Sequence, residues 1–123
     1  MITCIVVDDD KTITSLFSDL LGFMGFKVLA QGHSGSDAVS LYKKHHPEII
    51  FIDIMMPQTD GIYAIKNIKK IDPNAKIITV TADSTTDTLE KLDELKVHAR
   101  IKKPFNQDEI KNVLRSKFKI VIE

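Results

Sequence analysis

Three consecutive carboxylates, Asp8, Asp9 and Asp10, follow the first apolar run of the chain. Another carboxylate, Asp53, ends a later run. Thr81 ends the next, and Lys103-Pro104 follows the last. If the fold brings these groups to one edge, the carboxylates repel one another in a partly dry cleft. A hard divalent cation removes that penalty. Mg²⁺ takes one or two carboxylates, keeps several waters and completes its shell with phosphate oxygens. A carboxylate beside such an ion and a lysine is a nucleophile towards phosphorus and yields an aspartyl phosphate. The ion and the ammonium neutralise charge on the transferring oxygens, and a hydroxyl binds one of them.

The elements that must position these groups are legible as a rhythm. Short apolar runs occupy Ile2 to Val7, Phe26 to Ala30, Glu48 to Ile52 and Lys76 to Val80, with a weak fifth from Val97 to Lys102. In three of them Ile and Val are continuous rather than alternating, as in strands buried on both faces of a parallel sheet. Amphipathic segments lie between the runs. Ile13, Leu16, Phe17, Leu20, Leu21 and Met24 form one helical stripe, started by Asp10 or Thr12 and stopped by Gly25. A second helix begins near Ser34 or Ser36, buries Ala38, Leu41 and Tyr42, and ends before Pro47. A third runs from about Gly61 to Lys70, with Ile65 and Ile68 inward. The fourth runs from about Ser84 to Leu95, carrying Leu89, Leu92 and Leu95. The last is capped near Asn106 and buries Ile110, Val113 and Leu114. Five strands alternating with five helices make a (βα)5 chain with helices on both faces of the sheet. Ligands of such sheets bind beyond the carboxyl ends of the strands, where the singled-out residues lie.

Length and composition bound the rest. The 123 residues suit one domain, and 43% hydrophobic content excludes a disordered or collagen-like chain. Seventeen basic and seventeen acidic residues cancel, leaving no general positive field to hold nucleic acid or an anionic membrane. No apolar run approaches the roughly 20 residues of a membrane span, and the start lacks the layout of a signal peptide. Cys4, the one cysteine, reads as a small buried hydrophobe. A small, soluble, cytoplasmic protein is expected. The neutrality conceals a division: residues 1–61 hold four basic and eight acidic side chains, residues 62–123 thirteen and nine. This suggests an acidic site in the first half and a basic face in the second.

At these residues the sequence resembles the receiver domain of two-component response regulators, and among them the stand-alone receivers of chemotaxis. The resemblance rests on V-V-D-D-D at 6–10, D-I-M-M-P-Q-T-D-G at 53–61, V-T-A at 80–82 and K-P-F at 103–105. These stand in order at the ends of strands one, three, four and five. The resemblance implies a flavodoxin-like fold with strand order 2-1-3-4-5, an order that a chemotaxis receiver typifies. It assigns residues 1–119 to the domain and 120–123 to a short apolar tail. It makes Asp53 the phosphoacceptor and gives Mg²⁺ to Asp9 directly, to Asp8 through water, to Asp53 and to the backbone carbonyl of Met55. Thr81 would bind a phosphoryl oxygen, Lys103 would pair with the phosphoryl group, and the bond to Pro104 would be cis. Ala82, small beside Thr81, leaves room for a phosphodonor. A histidine kinase or histidine-phosphotransfer protein would supply the phosphoryl group. A protein of unknown identity would receive the signal, with no direct role for nucleic acid.

Several residues carry blander readings. Asp10 and Asp60 read as helix caps, Met56 as core, and His45-His46 as a solvated helix end; His33 and His98 receive no chemical role. Two positions depart from the family pattern. Arg100 stands where many receivers carry the switch aromatic, and it either remains outward or pairs with Glu90 or Asp93. Lys96-Val97 replaces the usual Gly-Ala. Both changes bear on readout at the last α/β face rather than on chemistry at Asp53. Lys96, Arg100, Lys102, Lys111, Arg115, Lys117 and Lys119 offer either steering towards an acidic partner or ordinary solvation. The segment from Phe118 to Ile122 either packs back or meets a partner. Two rival functions remain at this level: a pseudo-receiver that binds without phosphorylation, and a hydrolase of the haloacid-dehalogenase type. The hydrolase calls for Asp-x-Asp after its first strand, whereas these acids are adjacent.

Overall fold

Continuous Ile/Val runs have no polar side to show to water, so they are stable only at the centre of a sheet covered on both faces. The computed structural model describes residues 1–56, 59–82, 85–97 and 99–120 and places those runs accordingly. Its elements, in chain order, are β1 (Thr3–Val7), α1 (Lys11–Phe23), β2 (Lys27–Gly32), α2 (Gly35–His45), β3 (Ile49–Ile52), α3 (Gly61–Ile71), β4 (Lys76–Thr81), α4 (Thr86–Glu94), β5 (Ala99–Lys102) and α5 (Gln107–Phe118). The sheet is parallel with order β2-β1-β3-β4-β5. The three continuous runs are its centre, and the weaker second and fifth runs are its edges.

Alternate residues of each strand feed two cores. Cys4, Val6, Phe51 and Ile78 join Phe17 and Leu21 of α1 with Ile110 and Leu114 of α5. Ile5, Val7, Ile50, Ile52 and Ile77 join Ala38 and Tyr42 of α2, Ile65 and Ile68 of α3, and Leu92 of α4. Burial pushes the Cys4 thiol up to about 12, so it acts as core packing rather than as a nucleophile. Asp10, Ser34, Asp60, Thr85 and Asn106 cap the five helices, each accepting from a backbone N–H of the first turn.

The structure corrects several expected boundaries and faces. Leu16 belongs to the expected α1 stripe but is 56% exposed; the buried face is instead Thr14, Phe17, Ser18 and Leu21. The face that this helix lays on the sheet is narrower than the expected stripe. β2 continues two residues past Ala30, to Gly32, because its main chain keeps pairing with β1 as far as Val7. β5 starts at Ala99 rather than Val97, although Val97 is packed against the second core. α4 begins at Thr86 behind a Thr85 cap; Ser84, the expected start, and His98 lie outside the described residues. Of the apolar end, Phe118 and Ile120 pack back on the first core, and residues 121–123 lie outside the described ones. No helix among the described residues is long and apolar enough to cross a membrane.

Candidate functional site

Register brings the reactive groups together. Val7 lies opposite both Gly32 and Ile52, so the next residues on those strands, Asp8, His33 and Asp53, emerge side by side. The backbone N–H of Asp53 donates to the Val7 carbonyl at 2.9 Å, and that of Asp8 donates to the Gly32 carbonyl at 3.1 Å. Thr81 pairs with Lys102 in the sheet, and the Lys103 N–H donates back to the Thr81 carbonyl at 3.1 Å. The Lys103 loop is also held by Phe105, whose ring meets Phe17 of α1 edge-on with centroids 4.7 Å apart. The Lys103-Pro104 bond is cis. Gly61 closes the floor. A Cβ there would lie 2.3 Å from the Asp53 carbonyl oxygen, so the first turn of α3 abuts the end of β3 only because residue 61 has no side chain.

The side chains then converge. Asp8 is 4% and Asp53 5% exposed. Lys103 Nζ donates to Asp8 Oδ2 and, at 3.3 Å, to Asp53 Oδ2. Asp8 Oδ1 accepts the Asp10 N–H at 2.9 Å, and Asp53 Oδ1 accepts the Met55 N–H at 3.3 Å. The Thr81 hydroxyl also hydrogen-bonds Asp53. Burial pushes the Asp53 carboxyl above its ordinary value; Lys103 opposes this, the Asp8 charge adds to it, and the bonds from Thr81 and Lys103 oppose it again. Burial alone would lower Lys103. The Asp8 hydrogen bond, with the charges of Asp53 and Asp8, outweighs burial and raises it.

One carboxylate oxygen each from Asp8, Asp9 and Asp53 lie within 4.8 Å of one another. Three hard oxygen donors at that spacing, two of them already bonded to the Lys103 ammonium, fit a small divalent ion. The soft and imidazole ligands that select other metals are absent from this cluster. Met55 turns its side chain outward, 63% exposed, while Met56 is buried in the core. Ala82 is exposed beside Thr81.

The family model for the response regulator receiver domain matches residues 4–115. This chain belongs to that family. The receiver is 37% identical over 108 residues to the chemotaxis protein CheY of Bacillus subtilis, covering 86% of this chain and 88% of that one. It is 30% identical over 111 residues to sporulation initiation phosphotransferase F of the same organism, covering 90% and 89%. A chain in the crystal structure of the CheX–CheY–BeF3–Mg²⁺ complex from Borrelia burgdorferi superposes with a TM-score of 0.89 at 26% identity, covering 95% of this receiver and 89% of that chain. The protein is therefore a receiver of two-component signal transduction. Its family is one of phosphoacceptor signalling domains rather than of enzymes with a separate substrate, and the hydrolase reading falls away.

Elsewhere on the receiver the arrangement is looser. Arg100 points outward from β5 and lines a cavity of about 280 Å³ with Leu92, Asp93, Val97, Ala99 and Lys117. It forms no ion pair among the described residues, so of the two expectations the outward one holds. His33 is the residue that sequence reasoning missed. Its Nδ1 lies 3.0 Å from the Asp8 carbonyl oxygen. The rule of inspecting the residue after each strand would have found it had β2 been carried to Gly32.

Proposed function

We propose that the receiver accepts a phosphoryl group on Asp53 from a phosphohistidine, in a reaction that requires Mg²⁺. The observation that carries this reading is the shared lysine: one ammonium bonds both the enclosed Asp8 and Asp53, with Asp9 beside them. Asp8, Asp9, Asp53 and the Met55 carbonyl would hold the ion. Its charge, when bound, favours the ionised form of Asp53 and offsets the negative charge of the incoming phosphoryl oxygens. An Asp53 carboxylate oxygen attacks phosphorus, the P–N bond to the donor imidazole breaks, and an acyl phosphate forms. Lys103 moves from carboxylate to phosphoryl oxygen, and Thr81, already bonded to Asp53, gives its hydroxyl to another. Ala82 keeps the donor's approach open. Water later attacks the same phosphorus and restores Asp53.

The donor is a histidine kinase or a histidine-phosphotransfer protein, and the setting is the cytoplasm. The signal leaves by protein–protein contact, as the assembly of CheX with CheY in the Borrelia complex supports by analogy. Phosphorylation adds charge at Asp53 and draws Thr81 with its loop towards it. The α4–β5–α5 face is thereby altered without a switch aromatic, since residue 100 is Arg.

The test is incubation with a small-molecule phosphodonor and MgCl₂, followed by intact-mass measurement. One added phosphoryl group, absent in Asp53→Asn and absent in EDTA, is the expected result. No addition to the wild-type chain would favour a phosphorylation-independent interaction module instead.

A further inference from the structure

Asp8 and Asp9 differ in how they are held. The Asp8 carboxylate is enclosed and bonded on both oxygens, to Lys103 and to the Asp10 N–H. Asp9 is exposed on the turn that follows, yet a carboxylate oxygen of it lies within 4.8 Å of those of Asp8 and Asp53. Mutual repulsion favours swinging Asp9 away from two neighbouring carboxylates, so something must restrain the backbone that carries it. The peptide joining the two residues contributes the Asp8 carbonyl oxygen, and His33 Nδ1 lies 3.0 Å from that oxygen. A carbonyl can only accept, so Nδ1 carries the proton and donates. The next link is equally specific. The His33 N–H donates to Asp37 Oδ2 at 2.9 Å, and Asp37 lies in the first turn of α2 with its own N–H on the Ser34 cap at 3.0 Å. The main chain of Asp8 is thus gripped at its N–H by the Gly32 carbonyl and at its carbonyl by the His33 ring.

We infer that His33 is a positioning residue for the metal site: its Nδ1–H fixes the Asp8–Asp9 peptide and so keeps Asp9 turned towards Asp8 and Asp53. The inference rests on the proposed Mg²⁺ site and adds the residue just beyond β2, a strand that contributes no ligand. His33 is not among the residues that would hold the ion. Partners that orient ligands in this way typically change metal affinity by about 10–100-fold when removed. Asn offers the discriminating replacement, because its Nδ2 sits where the histidine Nδ1 does and can donate to the same carbonyl.

The experiment is calorimetric titration of the full chain with MgCl₂ alone, with urea unfolding in EDTA measured on the same variants. His33→Leu should bind Mg²⁺ about tenfold or more weakly, and His33→Asn should return to within a few-fold of wild type. A purely structural role would instead lower stability in EDTA for both variants and leave the order of their affinities unrelated to the donor. Equal Mg²⁺ affinity in wild type and His33→Leu, or no recovery in His33→Asn, overturns the positioning role while leaving the site intact. Wild-type affinity that survives Asp9→Asn would overturn the site itself, and this role with it.

Discussion

Two cations three residues apart on the same stretch of chain have opposite surroundings. Lys103, beyond the end of β5, is held between two enclosed carboxylates. Arg100, within β5, faces outward over an open cavity bordered by α4 and α5, without an ion pair among the described residues. At the strand ends, hydrogen bonds from β2, β4 and the loops converge on a few atoms, so the geometry is preset. On the outer face the described side chains make short-range contacts within the last elements, such as Lys91 with Asp87 and Arg115 with Asn112. On the reading proposed above, the contrast teaches that acceptance of the phosphoryl group and its readout are built to different tolerances. Chemistry needs sub-ångström placement, whereas a surface met by a partner can vary.

The largest way to break that contrast is to remove the internal cation. Lys103→Met should lower stability in EDTA by about 2–3 kcal/mol, somewhat under the roughly 3–5 of a fully enclosed pair because the ammonium lies at a mouth reached by water. MgCl₂ should restore most of the loss in urea unfolding. If Lys103→Met were as stable as wild type in EDTA, the Asp8 and Asp53 charges would not depend on the shared ammonium. The same cluster sets a pH dependence. The Asp53 carboxyl is raised above 3.8 in the folded chain, so its stabilising proton is fully present below 3.8. That contribution is lost as pH rises through the raised value. Lys103 is raised above 10.5, so its contribution holds below 10.5 and is lost as pH rises through the folded value. Urea midpoints measured across the acid range in EDTA should lose the Asp53 component in Asp53→Asn.

A second pair of variants sharpens the contrast in packing. Gly61→Ala sets a methyl 2.3 Å from the Asp53 carbonyl and should cost about 1–3 kcal/mol while slowing phosphoryl uptake. Gly22→Ala, where the added Cβ meets nothing within 4 Å, should raise stability by up to about 1 kcal/mol and leave uptake unchanged. Paired thermal melts and uptake rates check both. Arg100→Ala has the smallest expected effect on the fold, within about 0.5 kcal/mol. Its effect should appear instead as altered affinity of the phosphorylated form for a downstream partner. Unchanged affinity would exclude a specific role for Arg100.

Much of the fold could be read from residue order because burial leaves a direct trace in composition. β3 is apolar throughout and β1 and β4 are mostly so, and the ends of these strands locate Asp8, Asp53 and Thr81. Edge strands leave a weaker trace. β2 carries Lys27, Gln31 and Gly32, and ending it at Ala30 removed His33 from view. Leu16 shows the reverse failure, since a leucine on the expected stripe is no evidence of contact when the opposing surface is filled by Phe17 and Leu21. Arg100 could be recognised as a departure, but its direction could not, because that depends on how α4 and α5 border β5. The shared lysine was legible only as a convergence. Its simultaneous grip on two acids is a property of register, and no single motif contains it.

The Lys103–Asp8 contact joins residues 95 positions apart. During synthesis, a chain whose last strand is still inside the ribosome therefore has its acidic cluster without the ammonium that balances it. The cluster is balanced only when the final edge strand of the sheet is in place.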